Sequence, residues 1–166
     1  IDLPWVGTMS FDTAGHTMMG TSPAEMVDLI SSLPNKPIAF GANCGTGAPD
    51  LLRTVQDFAK YSSNSVLIAK GNAGIPKYVD GHILYDGTPE LMAKYAVMAR
   101  NSGAKIIGGC CGTKYEHLLS MRAALESHIL GPVPSLEQVE LEIGSFSSQI
   151  RKEVKKHNPK KRRRRV

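Results

Sequence analysis

Four times along the chain a short, mostly apolar run gives way, through a loop, to apolar residues spaced three and four apart. The runs are residues 6–10, 38–43, 66–69 and 104–109. A strand, a helix and a further strand in series leave room only for parallel pairing with helical crossovers. This recurrence therefore commits the chain to an α/β architecture with a parallel sheet.

The helices announce their own starts. Ser22 precedes Pro23 and Glu25, a capping box with proline at the first helical position, and Met26, Leu29, Ile30 and Leu33 are expected on its inner face. Pro49 opens the second helix, with Leu51, Leu52, Val55, Phe58 and Ala59 inward. A long loop is expected over 71–87. Thr88 and Pro89 then start a third helix carrying Leu91, Met92, Tyr95, Val97 and Met98, ended by Gly103. Thr113 and Glu116 suggest a capping box for the fourth, with Leu118, Leu119, Met121, Ala124 and Leu125 inward until the Gly131-Pro132 break. A fifth helix is expected over 135–143, capped by Ser135 and Gln138, then a frayed helix and disorder. Two arrangements fit such units, an open doubly wound sheet and a closed (β/α)8 barrel. Four units fall short of the roughly 250 residues of a full barrel. In both, functional groups gather at the C-terminal ends of the strands.

Composition narrows the class. At 166 residues and 42% hydrophobic the chain can bury one core. It contains no apolar run that would span a bilayer and no secretory leader pattern, so a cytoplasmic location is expected. A start at Ile1 rather than Met suggests a truncated or processed N-terminus. Half of the 20 Lys and Arg and a single Glu lie in residues 151–166, a charge of +9 that leaves −4 on the rest. Such a tail can grip nucleic acid, but no aromatic residue is interleaved with its charges, and a solvated end is favoured.

Three cysteines are an odd count with two adjacent, which argues against a disulfide framework. All three stand where strands end: Cys44 after the second, Cys110 and Cys111 after the fourth. Three thiolates can hold zinc and leave its fourth position open. Adjacent strand residues point to opposite faces, and only a sharp turn could aim both at one ion, which Gly108, Gly109 and Gly112 permit. Spacing alone weighs this equally against three unrelated buried thiols, with a vicinal disulfide as a third option. His117, one turn into the fourth helix, is expected to pack rather than to ligate. His16 and His82 are read as loop residues. Gly45-Thr46-Gly47 has Asp50 where a dinucleotide loop needs its third glycine, so that reading is set aside.

The segments Gly41-Ala42-Asn43-Cys44, Gly71-Asn72-Ala73-Gly74-Ile75-Pro76 and Gly108-Gly109-Cys110-Cys111-Gly112-Thr113 resemble the homocysteine S-methyltransferase family over about residues 6–130. The resemblance implies a (β/α)8 TIM-barrel fold of which this chain covers about strands five to eight, a partial barrel. It implies zinc ligated by Cys44, Cys110 and Cys111, and methyl transfer to homocysteine giving methionine. Asn43 and Asn72 are candidate substrate-binding residues. The methyl donor could be betaine, S-methylmethionine, or methylfolate acting through cobalamin in a longer parent protein.

The division expected is a partial homocysteine-binding barrel over 1–131, a helical extension over 132–150 and a basic tail over 151–166. The family's first four strands are not in this sequence. The chain is therefore expected to be a fragment, or to need a missing N-terminal half or self-association. A non-catalytic zinc-binding half barrel, and nucleic-acid binding through the tail, are the rival functions. No membrane partner is expected.

Overall fold

The computed structural model describes residues 3–12 and 14–147. The elements run β1 (Val6–Met9), α1 (Pro23–Ser32), β2 (Ala39–Cys44), α2 (Ala48–Tyr61), β3 (Leu67–Gly71), β4 (Pro76–Val79), β5 (His82–Tyr85), α3 (Pro89–Asn101), β6 (Ala104–Gly109), α4 (Tyr115–Ser127) and α5 (Leu136–Ile143). β1, β2, β3 and β6 form one parallel sheet in that order, and every pairing follows the direction of the chain. α1 packs on α2, α2 on α3, and α3 on α4, so the helices lie side by side in the order of the strands. A doubly wound sheet divides its helices between two faces, whereas here consecutive helices are neighbours. That is the arrangement of a stretch of (β/α) barrel wall.

The core lies between sheet and helices. Phe40 and Ala42 of β2, and Leu67 and Ala69 of β3, alternate toward α2 and α3. Phe58 of α2 sits among them with its ring edge-on to Phe11 and Phe40, at centroid distances of 5.5 and 5.6 Å. α5 closes the outside of this layer. Its Val139 and Ile143 are buried in the same core, and it packs on both α2 and α3. Buried Asp50 holds the irregular segment that follows α5. Its carboxylate accepts from the Ser147 N–H and the Thr46 hydroxyl and pairs with Arg53, whose guanidinium stacks 5.1 Å from the Phe146 ring centroid.

Four expectations change. The loop expected over 71–87 contains an antiparallel hairpin, β4–β5, with Val79 opposite His82. Its two-residue turn is Asp80-Gly81, with φ of 50° and 83°. Both positive angles are what a type I′ turn requires, and Asp-Gly supplies them. Leu29 of α1 is exposed, and Val27 takes the inner position beside Met26. Leu118 and Leu119 of α4 are exposed as well, and Met121 is the apolar residue that helix buries. Finally, α4 starts one residue later than expected. Thr113 turns its side chain onto Gly109, where a Cβ would collide with it, and Lys114 takes the cap position. The irregular path after Gly144 is described only to Ser147, and the basic tail lies outside the described residues.

Candidate metal centre

Parallel strands bring their C-terminal ends to one edge of the sheet, and three of them bring sulfur. Cys44 is the last residue of β2, while Cys110 and Cys111 follow β6 directly. β3 lies between the two, in register with both, so its end forms the floor of the site. Cys44 Sγ is 2.6 Å from Cys110 Sγ and 3.8 Å from Cys111 Sγ, and the last two are 4.0 Å apart. All three sulfurs fall within 4.8 Å of one another, and they are the one such ligand group found among the described residues. Zinc–thiolate bonds of ~2.3 Å in a tetrahedron place sulfurs about 3.8 Å apart. Two of the three separations match that demand, and Cys44 and Cys110 stand closer. The donor set fits a thiophilic divalent cation with one position left for a further ligand.

The backbone is arranged to present these sulfurs. Cys44 has φ of 53° and Gly45 71°, consecutive left-handed residues that swing the chain away from β2 as it ends. A cysteine in that region is uncommon and costs energy, which the surrounding hydrogen bonds must offset. Asn72, at the end of β3, supplies two of them. Its Nδ2 donates to the Gly45 carbonyl (3.0 Å) and its Oδ1 accepts the Cys111 N–H (3.1 Å). The Cys110 N–H donates to the Gly71 carbonyl and the Ala73 N–H to the Cys111 carbonyl, at 2.8 and 2.9 Å. Buried Asn72 thus ties both cysteine loops to one strand end. Asn43 is half-buried, and its amide reaches the Ser10 hydroxyl at 3.4 Å and the Cys44 sulfur.

The electrostatics separate the sulfurs. Burial would raise the Cys44 thiol, but hydrogen bonds from Cys110, Asn43 and Cys111 outweigh it and hold it below the ordinary thiol value. Burial, with the hydrogen bond and charge of Cys44 and the charge of Cys111, pushes Cys110 up to about 11. In the bare cluster Cys44 thus gives up its proton more readily than Cys110. A bound divalent cation would offset the repulsion that keeps the proton on Cys110.

Tyr95 and Tyr85 support the site without having been singled out for it. The buried Tyr95 hydroxyl accepts the Gly71 N–H (2.9 Å), and burial pushes its phenol upward. Its helical spacing marked it only as a core residue. Tyr85 ends the hairpin that was expected to be loop. Its ring packs on Gly112. Loss of solvent, followed by the neighbouring cysteine sulfurs, raises its phenol. His117 packs, as expected. Its Nδ1 accepts the Lys114 N–H (2.8 Å), so Nε2 carries the proton and donates to the Gly87 carbonyl (2.9 Å). His16 and His82 are exposed and stand outside the sulfur cluster. Gly45-Thr46-Gly47 uses its threonine to bind Asp50.

Two comparisons bear on this site. The sequence profile described as "Homocysteine S-methyltransferase" matches residues 1–125. The crystal structure of the homocysteine methyltransferase MmuM from Escherichia coli, in its apo form, superposes with a TM-score of 0.57 at 21% identity. The match covers 73% of this chain and 39% of that one, so the chain spans well under half the length of that relative. At this identity the superposition speaks for the fold.

Proposed function

The chain belongs to the homocysteine S-methyltransferase family, and on that premise we propose that its strand-end sulfurs are the metal-binding part of a site that methylates homocysteine. The observation that carries this reading is the meeting of Cys44 with Cys110 and Cys111, from strands far apart in sequence, within 4.8 Å. No helix among the described residues is long and apolar enough to cross a membrane.

Cys44, Cys110 and Cys111 would hold zinc. When bound, zinc supplies a Lewis acid that lets a substrate thiol ionise near neutral pH. The chain's own residues perform the other tasks. The three thiolates deliver the negative charge that selects a cation over a neutral ligand. Asn72 and the end of β3 hold the two cysteine loops at a fixed separation. Asn43, beside Cys44 at the rim, is the candidate contact for the polar end of homocysteine, and Asn72 offers what remains of its donor capacity. The reaction forms the sulfur–methyl bond of methionine, breaks the bond between the methyl group and its donor, and releases the thiol proton to solvent. No covalent intermediate on the protein is required.

In this reading β1, β2, β3 and β6 are strands five to eight of a family barrel. Residues 1–131 are the barrel portion, 132–150 a helical extension and 151–166 a basic tail. Residues supplied by strands one to four would complete the substrate pocket. The support is the short span of the match and the helix layer on a sheet of four strands.

The test is methionine formation from homocysteine, with S-methylmethionine, betaine or methylfolate offered in turn. It is run on the chain by itself and on the chain joined to the first four β/α units of a relative. Turnover in the joined protein, abolished by Cys110→Ser, is expected. Turnover indifferent to Cys110→Ser would overturn the reading.

A further inference from the structure

The parallel sheet has a second face, turned away from its helices. Gly71 of β3 faces α3, where a Cβ would meet the Tyr95 ring, and Ala69 is buried in the core on that same side. Lys70 lies between them and therefore points the other way. Lys70 and Lys105 are the only charged residues in the four parallel strands, and Lys105 lies at the end of β6 far from the cysteines.

Register sets what stands beside Lys70. It pairs with Asn43 of β2 on one side and with Gly108 of β6 on the other. Gly108 has no side chain, and the lysine stem lies across it: a Cβ there would sit 3.8 Å from Lys70 Cγ. Asn43 gives its Nδ2 to the Ser10 hydroxyl (3.4 Å), and its Oδ1 accepts no hydrogen bond among the described residues. Lys70 is half-buried, and among the described residues no ion pair or hydrogen bond engages its ammonium. Two residues back along the same face, Ile68 pairs with Ile106. A cation and an acceptor thus stand side by side above an apolar floor. They lie one residue, about 3.3 Å, below the level of Cys44, which pairs with Gly71. An ammonium that has given up part of its water favours an anion as its partner.

We propose that Lys70 binds the α-carboxylate of homocysteine, with the Asn43 carbonyl oxygen taking its ammonium group, while the thiol lies at the sulfur cluster. The proposal rests on the homocysteine reading and assigns the end of the substrate opposite its sulfur. Homocysteine carries both charged groups on the third carbon from sulfur. The flexible four-carbon stem of lysine lets the ammonium meet the carboxylate at that depth. A thiol without a carboxylate leaves Lys70 unpaired, so this residue selects an amino-acid thiol over a plain one.

The test uses the whole reduced chain loaded with cobalt(II), whose absorption bands change when a thiol takes the open position. Homocysteine is compared with aminopropanethiol, the same molecule without its carboxylate. The wild-type chain is expected to bind homocysteine on the order of tenfold more tightly. Lys70→Met keeps much of the stem and drops the charge. It should bind the two thiols alike, through weaker homocysteine and unweakened aminopropanethiol. Lys70→Arg should keep part of the preference. A Lys70→Met chain that still prefers homocysteine would overturn the assignment, as would a wild-type chain that binds both thiols equally; either result leaves the metal site and its thiol ligand standing. A wild-type chain that takes up cobalt and binds neither thiol would remove the homocysteine reading as well. Should Lys70→Met fail to fold by circular dichroism, Lys70→Arg decides, and a folded Lys70→Arg chain without any preference would overturn the proposal.

Discussion

Cys44 and Cys110 carry the same side chain, yet their surroundings move their proton affinities in opposite directions. Cys44 is held below the ordinary thiol value and Cys110 is pushed up to about 11. A thiol must lose its proton to ligate, so protons compete with the metal at Cys110 throughout the neutral range. Zinc affinity should therefore climb with pH between about pH 6 and 9, by on the order of tenfold per unit for each proton released. Chelator competition at several pH values measures the slope, and a flat profile would contradict the assignment of Cys110. Asn72 makes a second prediction at this scale. Asn72→Ala takes the partner from the part-buried Cys111 N–H and frees the loop after Cys44, and should cost about 1 kcal/mol in denaturant unfolding as well as weakening zinc. The three cysteines could be read from sequence because each stood at a strand end. The use of Asn72 as a tie between loops could not, since nothing in an Asn-Ala-Gly segment says which backbone groups its amide will meet.

Among the elements, the four strands and the helices between them were legible because each carried its own period and start signal. Ser22 with Glu25 forms the expected capping box, and Thr88 and Ser135 cap their helices as their positions suggested. The hairpin was missed although Asp80-Gly81 is a strong turn signal, because its flanking strands are short and exposed and show no buried alternation. Leu118 and Leu119 were misplaced for a different reason. A helical stripe predicts an inner face only if something covers it, and α4 buries little beyond Met121. Phe58 is where the core depends most on one side chain. Phe58→Ala would remove both edge-on ring contacts and leave a cavity between α2 and the sheet, costing about 3–5 kcal/mol. Tyr95→Phe should cost less, about 1–3 kcal/mol, through the unpaired Gly71 N–H at the floor of the site. Thermal or urea unfolding measures both, and a neutral Tyr95→Phe would show that Gly71 finds another partner.

Across the whole molecule, the sheet begins at β1 and ends at β6, and neither outer edge has a strand partner among the described residues. Val6 and Met9 on one edge and Ile106 on the other are exposed, as are Leu118 and Leu119 on the last helix of the sheet layer. Unpaired parallel edges with apolar neighbours favour association. The chain alone is expected to elute in light-scattering chromatography above its monomer mass of 17.9 kDa, and a stable monomer would mean that the edges are covered from within. Sequence periodicity left two architectures open. The order of the helices on the sheet is consistent with a stretch of barrel wall, and it depends on crossover geometry that no single segment encodes. The whole account turns on one metal-binding cluster built from two distant strand ends. Metal content of the reduced, purified chain measures that directly. One zinc per chain, lost alike in Cys44→Ser, Cys110→Ser and Cys111→Ser, is the predicted result, and a folded wild-type chain that takes up no zinc would contradict it.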